Sequence, residues 1–157
     1  MSPELGTVAP DFRTRNQHGE TLTLDGLLEQ QPADGRLLLV FYPWAFSGIC
    51  TGELAALRDG HPRLAAAGVR VLAVSCDAMF TLRAFGEAED LPFDLLTDHW
   101  PHGAIARAYD VFDDQAGCAL RGSFLLDAAG TVTWSVLNGI GEARDILAHL
   151  EASVPAR

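Results

Sequence analysis

Residues 37–54 read LLLVFYPWAFSGICTGEL, and this stretch decides the fold. It begins with a continuous apolar run, which is typical of a strand buried on both faces. Pro43 and Gly48 then interrupt the pattern, and a helical pattern opens near Thr51. Cys50 therefore lies on the first turn of a helix, where free backbone N–H groups and the helix dipole favour a thiolate over a thiol. The stretch predicts a reactive cysteine at a strand-to-helix turn.

Cys50 has a second interpretation, because free cysteine is among the most frequently buried residue types and often acts only as a small apolar side chain. Ser47 favours the reactive interpretation. Its hydroxyl precedes Cys50 by three residues, so it can hydrogen-bond both the sulfur and an incoming oxygen-containing substrate. We therefore take Cys50 as the candidate nucleophile.

The length and the net charge of the chain limit the classes of protein to which it can belong. A chain of 157 residues is expected to form a single domain over residues 1–157. Its 11 Lys plus Arg against 21 Asp plus Glu give a net charge of -10, which disfavours nucleic acid and anionic membranes as partners. Its apolar runs are only of strand length, and residues 1–4 do not resemble a secretory signal. A cytoplasmic protein acting on a small molecule is expected.

Metal and disulfide sites are not indicated. The three cysteines, Cys50, Cys76 and Cys118, form neither a CxxC pair nor a Cys/His ladder. His99 and His102 lie close in sequence, but Pro101 interrupts their spacing. We expect no metal and no organic cofactor.

Strand and helix patterns alternate along the chain. Strands are predicted at residues 37–42, 69–75, 93–96 and 123–126. Helices are predicted from about residue 51, at 80–89, at 103–109 and from 141 to 152. Pro62 is expected to kink or restart the first of these helices. A turn at residues 127–130 predicts an antiparallel hairpin ending in Val132-Thr133-Trp134, and residues 17–20 predict the turn of a small N-terminal hairpin. The pattern predicts an α/β fold with a central mixed β-sheet flanked by helices.

The motif Pro43-x-x-x-Ser47-x-x-Cys50 resembles the Pro-x-x-x-Thr/Ser-x-x-Cys signature of the peroxiredoxins, which are thiol peroxidases with a thioredoxin-like fold. Residues 6–12 resemble the N-terminal entry of that family, and residues 121–127 resemble the strand that carries its active-site arginine. Three segments further resemble the actinobacterial alkyl hydroperoxide reductase E type, which is typically a one-cysteine enzyme: residues 46–50, 100–104 and 115–117.

The resemblance implies a role for each residue of the motif. Cys50 is the attacking thiolate, and the Ser47 hydroxyl with the Cys50 N–H holds the peroxide oxygens. Arg121 lowers the pKa of the thiol and polarises the substrate, a task that suits a planar guanidinium with several donors. Pro43 shields the sulfur from water. Arg121 begins an apolar strand, which favours this role over that of an exposed ion-pair residue.

Other residues have open roles. Glu53 is either an acceptor that orients an arginine or a solvated helix residue. Cys118, three residues before Arg121, is either a resolving thiol or an unreactive one, and Cys76 is expected to be a buried structural thiol. Because position 55 is Ala, an external thiol is the simpler reductant of a Cys50 sulfenic acid. The resemblance suggests mycothiol with mycoredoxin, or thioredoxin.

Three functions compete at this point. The first is a peroxidase acting on hydrogen peroxide, alkyl hydroperoxides or peroxynitrite. The second is a disulfide reductase, which lacks its second thiol because Glu53 stands where a CxxC pair requires cysteine. The third is a redox-sensing or chaperone-like binding module. A homodimer is expected in each case, with Trp44 and Trp100 as candidate interface residues.

Overall fold

The computed structural model of the chain describes residues 2–151. Its main sheet has five strands in the spatial order β5-β4-β3-β8-β9. The strands of this sheet are β3 (Arg36–Phe41), β4 (Val69–Ser75), β5 (Asp94–Thr97), β8 (Arg121–Leu126) and β9 (Val132–Asn138). The remaining strands form two small hairpins, β1 (Arg13–Arg15) with β2 (Thr21–Thr23) and β6 (Phe112–Asp113) with β7 (Cys118–Ala119). The helices are α1 (Leu24–Glu29), α2 (Gly48–Ala66), α3 (Met79–Ala88), α4 (Ala104–Ala108) and α5 (Ile146–Glu151).

The sheet is mixed, as the sequence predicts. β3, β4 and β5 run parallel, whereas β8 runs antiparallel to both β3 and β9. The three parallel strands therefore end at the same edge of the sheet, and the first residue of β8 lies at that edge too. The loops that follow the parallel strands meet there, which is the usual position of a site in an open α/β sheet.

Helices cover both faces of the sheet. Along β3, Leu38 and Val40 face a core layer that includes residues of α2, α3 and α5, whereas Leu37 and Leu39 face a layer with residues of α1 and α4. This alternation follows from the two-residue period of a strand. It also explains the unbroken apolar run at residues 37–41, because both faces of β3 are buried.

Several predicted boundaries shift. α2 begins at Gly48, three residues earlier than expected, and it continues through Pro62, where we expected a kink or a restart. Pro62 lies on the exposed face of the helix, away from the core. The last helix begins at Ile146 instead of residue 141, because Asp145 accepts a hydrogen bond from the Ala148 N–H and caps it. Residue 152, the expected end, lies outside the described residues.

The N-terminal hairpin forms as predicted. Helix α1, capped by the Thr23 side chain, and the β6–β7 hairpin were not predicted. Across residues 2–151, no helix combines the length and the apolar character needed to cross a membrane.

Candidate active site

Cys50 is the third residue of α2, and its side chain is buried. Ser47 is the N-cap residue of the helix: its carbonyl accepts a hydrogen bond from the Thr51 N–H at 2.9 Å. The Ser47 side chain makes no capping hydrogen bond, and it is only half-buried. The hydroxyl is thus left to bind something other than its own helix.

Contacts with Asp77 and Phe85 hold the loop between β3 and α2 in place. The carboxylate of Asp77, which follows β4, accepts hydrogen bonds from the Ala45 N–H at 2.8 Å and from the Ser75 hydroxyl at 2.7 Å. Phe46 adopts a φ of 69°, which is strained for a bulky side chain, and its ring packs on Phe85 with centroids 5.0 Å apart. These contacts fix the loop that carries Pro43 and Ser47.

Arg121 reaches Cys50 from the first residue of β8. Its Nη1 lies 3.4 Å from the Cys50 Sγ, and its Nε donates to the Ile140 carbonyl at 2.8 Å. The arginine side chain is only 2% exposed, so little water weakens its field at the sulfur. A guanidinium in this position stabilises negative charge on the sulfur or on an oxygen bound beside it.

Glu53 lies one turn after Cys50 and is buried. Its Oε1 accepts a hydrogen bond from Nη1 of Arg121, the same nitrogen that faces the sulfur. Glu53 therefore orients the arginine, which was one of the two roles left open by the sequence.

Arg144 completes the cluster, and sequence reasoning missed it. Its backbone N and its Nε donate to Glu53 Oε2 at 2.7 and 3.1 Å, and its Nη2 donates to Oε1 at 3.2 Å. The other donors of the guanidinium reach the carbonyls of Phe41 and Gly122 and the Ser123 hydroxyl. The side chain is 0% exposed and joins α2, β3 and β8. The sequence predicted a helix from residue 141, which would place Arg144 within that helix. The sequence therefore gave no indication that Arg144 binds Glu53.

The buried charges do not cancel. Two guanidiniums, Arg121 and Arg144, share one carboxylate, Glu53. Burial lowers the pKa of Arg144, although the hydrogen bonds and charge of Glu53 oppose that effect. With both arginines protonated the cluster has a net charge of +1, and a thiolate at Cys50 makes it neutral. The arrangement can thus hold one negative charge on the sulfur or on an atom bonded to it.

A family model described as AhpC/TSA family matches residues 5–135. The chain belongs to the AhpC/TSA family. This family comprises peroxiredoxins, and the chain is accordingly a thiol peroxidase, an oxidoreductase. The resemblance of residues 43–50 to the peroxiredoxin signature is confirmed at the level of the family.

Similar proteins agree with this assignment. The chain is 40% identical over 141 residues to "Alkyl hydroperoxide reductase E" of Mycobacterium tuberculosis (strain ATCC 25618 / H37Rv), an alignment that covers 90% of each protein. It is 36% identical over 118 residues to "Alkyl hydroperoxide reductase C" of Staphylococcus aureus (strain N315), covering 71% of this chain and 61% of that protein.

Two solved structures share the fold. The peroxidoxin BcpB of Mycobacterium tuberculosis superimposes with a TM-score of 0.81 at 25% identity, covering 97% of this chain and 94% of that chain. The AhpC of Enterococcus faecalis gives a TM-score of 0.84 at 24% identity, covering 98% and 93%. The predicted fold, a thioredoxin-like mixed sheet with flanking helices and an N-terminal hairpin, is confirmed.

The other two cysteines of this peroxiredoxin are buried free thiols. Burial raises the pKa of Cys118 to about 11 and that of Cys76 to about 12. The β6–β7 hairpin carries Cys118 close enough to the site for the charges of Arg121 and Cys50 to act on its pKa. Near neutral pH both thiols are protonated and are therefore weak nucleophiles.

His99 and His102 do not form a metal site with their neighbours. Their rings lie 6.2 Å apart, and one ring nitrogen of each contacts a backbone carbonyl, that of Cys76 for His99 and that of Gly117 for His102. Over residues 2–151, no group of three or more His, Cys, Asp or Glu side chains is arranged to hold a metal ion.

Proposed function

We propose that this peroxiredoxin reduces hydrogen peroxide, alkyl hydroperoxides or peroxynitrite through a sulfenic acid on Cys50, which an external thiol then reduces. The observation that carries the proposal is the contact of 3.4 Å between Arg121 Nη1 and the Cys50 Sγ. It lies inside a buried cluster whose net positive charge a thiolate neutralises. The names of the relatives, alkyl hydroperoxide reductases E and C, support an organic hydroperoxide as one substrate.

In the first step the Cys50 thiolate attacks one oxygen of the peroxide and the O–O bond breaks. The bonding electron pair goes to the leaving oxygen, which takes up a proton and departs as water or an alcohol, or departs as nitrite when the substrate is peroxynitrite. The Ser47 hydroxyl and the Cys50 N–H hold the two oxygens, and Arg121 stabilises the negative charge as it moves from sulfur to oxygen. Pro43, which is buried, keeps bulk water away from the sulfur.

In the second step a thiol attacks the sulfenic sulfur, and water leaves as a mixed disulfide forms. A second thiol then releases the Cys50 thiol and leaves the reductant as a disulfide. The similarity to the reductase E type supports mycothiol with mycoredoxin, or thioredoxin, as this reductant. The low nucleophilicity expected of buried Cys118 and Cys76 supports an external thiol over an internal one.

Assembly and location belong to the same proposal. We expect a homodimer in the cytoplasm. The exposed aromatic side chains near the site, Trp44 and Phe46 among them, support an interface on this side of the molecule.

The proposal is tested by mixing reduced protein with sub-stoichiometric peroxide in a stopped-flow instrument, with tryptophan fluorescence as the signal and mass spectrometry of the quenched product. Cys50→Ser should lose the fast phase, whereas Cys76→Ser and Cys118→Ser should keep it. One added oxygen on Cys50 is the expected product. A wild-type rate in Cys50→Ser would refute the peroxidase mechanism.

A two-cysteine cycle is the second candidate, because Cys118 is a buried free thiol only three residues before Arg121. In that cycle the Cys118 sulfur attacks the Cys50 sulfenic acid, and a disulfide forms with loss of water. Mass spectrometry of the same quenched sample distinguishes the cycles, since a disulfide between Cys50 and Cys118 would assign Cys118 as the resolving thiol. Slow oxidation with oxidation-dependent capture of a partner would instead favour a redox-sensing or chaperone-like module.

A further inference from the structure

A pocket of about 390 Å³ lies between the N-terminal hairpin and the loop after β5. Its volume is within the range of small-molecule sites. The residues that give it chemical character are Arg13 and Arg15 of β1, Thr21 of β2, and His99 and Trp100 of the loop. No acidic residue is among those that line it. We call it the basic pocket.

The two arginines of the basic pocket lack a carboxylate partner. Three other arginines on the surface of this acidic chain form ion pairs, Arg58 with Asp59, Arg70 with Asp94 and Arg107 with Asp114. Arg13 and Arg15 make no such pair with any of residues 2–151, and their cross-strand neighbours are Thr23 and Thr21. The chain has 21 acidic residues, yet neither of these two exposed arginines is paired with one. Both guanidiniums are therefore available to bind an anion.

The strand geometry sets the spacing of these charges. Because residues i and i+2 of a strand project to one face, Arg13 and Arg15 lie on the same side of β1, with Cα atoms about 6.7 Å apart. Thr14, between them, donates a hydrogen bond to the Thr97 carbonyl, which fastens β1 to the end of β5. The two guanidiniums are thus carried on an anchored strand, at a spacing that suits a group with two linked phosphates.

Trp100 adds a second kind of contact. It lines the pocket and is 85% exposed, more than any other large hydrophobic side chain of the described residues. An exposed indole beside two arginines offers a flat surface for a planar ring. We propose that the basic pocket binds a nucleoside diphosphate, with the diphosphate at Arg13 and Arg15 and the base on Trp100.

The basic pocket is separate from the peroxide site. It adjoins the end of β5, whereas Cys50 follows β3, and β4 lies between these two strands. The residues that line the pocket include none of Pro43, Ser47, Cys50 and Arg121. Nucleotide binding therefore does not depend on whether Cys50 turns over peroxide, and the two proposals fail separately.

The test uses the reduced full-length protein and isothermal titration calorimetry with ADP, pyrophosphate and adenosine, first at low and then at physiological ionic strength. One ADP should bind per chain. The double variant Arg13→Gln/Arg15→Gln should weaken ADP and pyrophosphate by about tenfold or more. Trp100→Ala should weaken ADP and leave pyrophosphate unchanged.

Arg36→Gln is the matched control, because Arg36 begins β3 at the opposite end of the sheet and forms no ion pair with a carboxylate among residues 2–151. It should bind ADP like the wild type, and all variants should consume peroxide at the wild-type rate. Absence of ADP binding would overturn the proposal, as would an equal loss of affinity in Arg36→Gln. Unchanged ADP affinity in Trp100→Ala would overturn the assignment of a nucleotide.

Discussion

The Glu53 carboxylate accepts three hydrogen bonds from Arg144, two at Oε2 and one at Oε1. Arg144 therefore neutralises most of the negative charge of Glu53. Arg121, which also donates to Glu53, retains a positive charge that the carboxylate does not fully cancel, and that charge faces the Cys50 sulfur. Arg144 thus determines how strong an electrostatic field Arg121 exerts on the Cys50 sulfur.

Replacing Arg144 tests this relationship. Arg144→Gln leaves the buried Glu53 with a single cationic partner, so unfolding free energy should fall by about 3–5 kcal/mol. Urea denaturation of the reduced protein measures this loss. Peroxide reduction should slow as well, because the cluster no longer has an excess positive charge. Arg144→Lys should recover part of the stability, and a stability equal to the wild type in Arg144→Gln would contradict the assignment.

Arg121→Lys tests geometry at nearly constant charge. Lysine keeps the positive charge but cannot reproduce the planar fork that reaches Cys50, Glu53 and the Ile140 carbonyl together. The rate of the peroxide step should fall by about 10²–10³-fold. Stopped-flow fluorescence measures it, with Arg107→Lys on the surface as the control. Equal rates in the two variants would show that charge alone is sufficient.

The raised pKa values of Cys76 and Cys118 predict which of the three cysteines reacts. Because burial raises the pKa of Cys118 to about 11 and that of Cys76 to about 12, neither forms appreciable thiolate at pH 7 to 8. Iodoacetamide should modify Cys50 in the folded protein and reach the other two only after denaturation. Peptide mapping gives the site. Early modification of Cys118 in the folded protein would instead favour its role as a resolving thiol.

The same pKa values predict how stability changes with pH. A thiol whose pKa is higher in the folded than in the unfolded protein stabilises the fold below the unfolded value, near 9.0, and loses that contribution as pH rises through the folded value. Unfolding free energy should therefore decline above pH 9, by up to about 1.4 kcal/mol per pH unit for each thiol. The variant Cys76→Ala/Cys118→Ala should show a shallower decline between pH 9 and 11. An identical slope would contradict the prediction.

Two glycines should respond in opposite ways to alanine. Gly103 has a φ of +74°, and a Cβ there would lie 2.3 Å from the Phe112 ring, so Gly103→Ala should destabilise the protein by about 2 kcal/mol or more. Gly52 is in the exposed part of α2, and a Cβ there would meet nothing within 4 Å. Gly52→Ala should raise stability by about 0.5–1 kcal/mol. Thermal unfolding of both variants measures the contrast.

Sequence alone predicted the elements that depend on local pattern. The strand over residues 69–75 matches β4, and the turn at residues 127–130 joins β8 to β9 as expected. Both are specified by neighbouring residues, through an apolar run in one case and through the Asp127 and Gly130 turn in the other. Cys50, Ser47 and Arg121 could be singled out because a motif identifies them.

Features that depend on distant contacts could not be predicted. Arg144 becomes part of the cluster only because residues 141–145 remain irregular and turn its backbone N–H toward Glu53. Helical periodicity in that region gave no reason to expect a non-helical segment. The β6–β7 hairpin was also missed, because each of its strands has only two residues and leaves no readable pattern.

The anchoring of Glu53 by a residue 91 positions further along the chain has a consequence for synthesis. As the chain leaves the ribosome, the helix that carries Cys50 emerges long before Arg144 does. Until then the cysteine has neither the Ile140 carbonyl that fixes Arg121 nor the partner that occupies Glu53. The nascent chain therefore keeps its cysteine without the finished reactive centre until residue 144 has emerged, and products truncated before that residue would lack the centre.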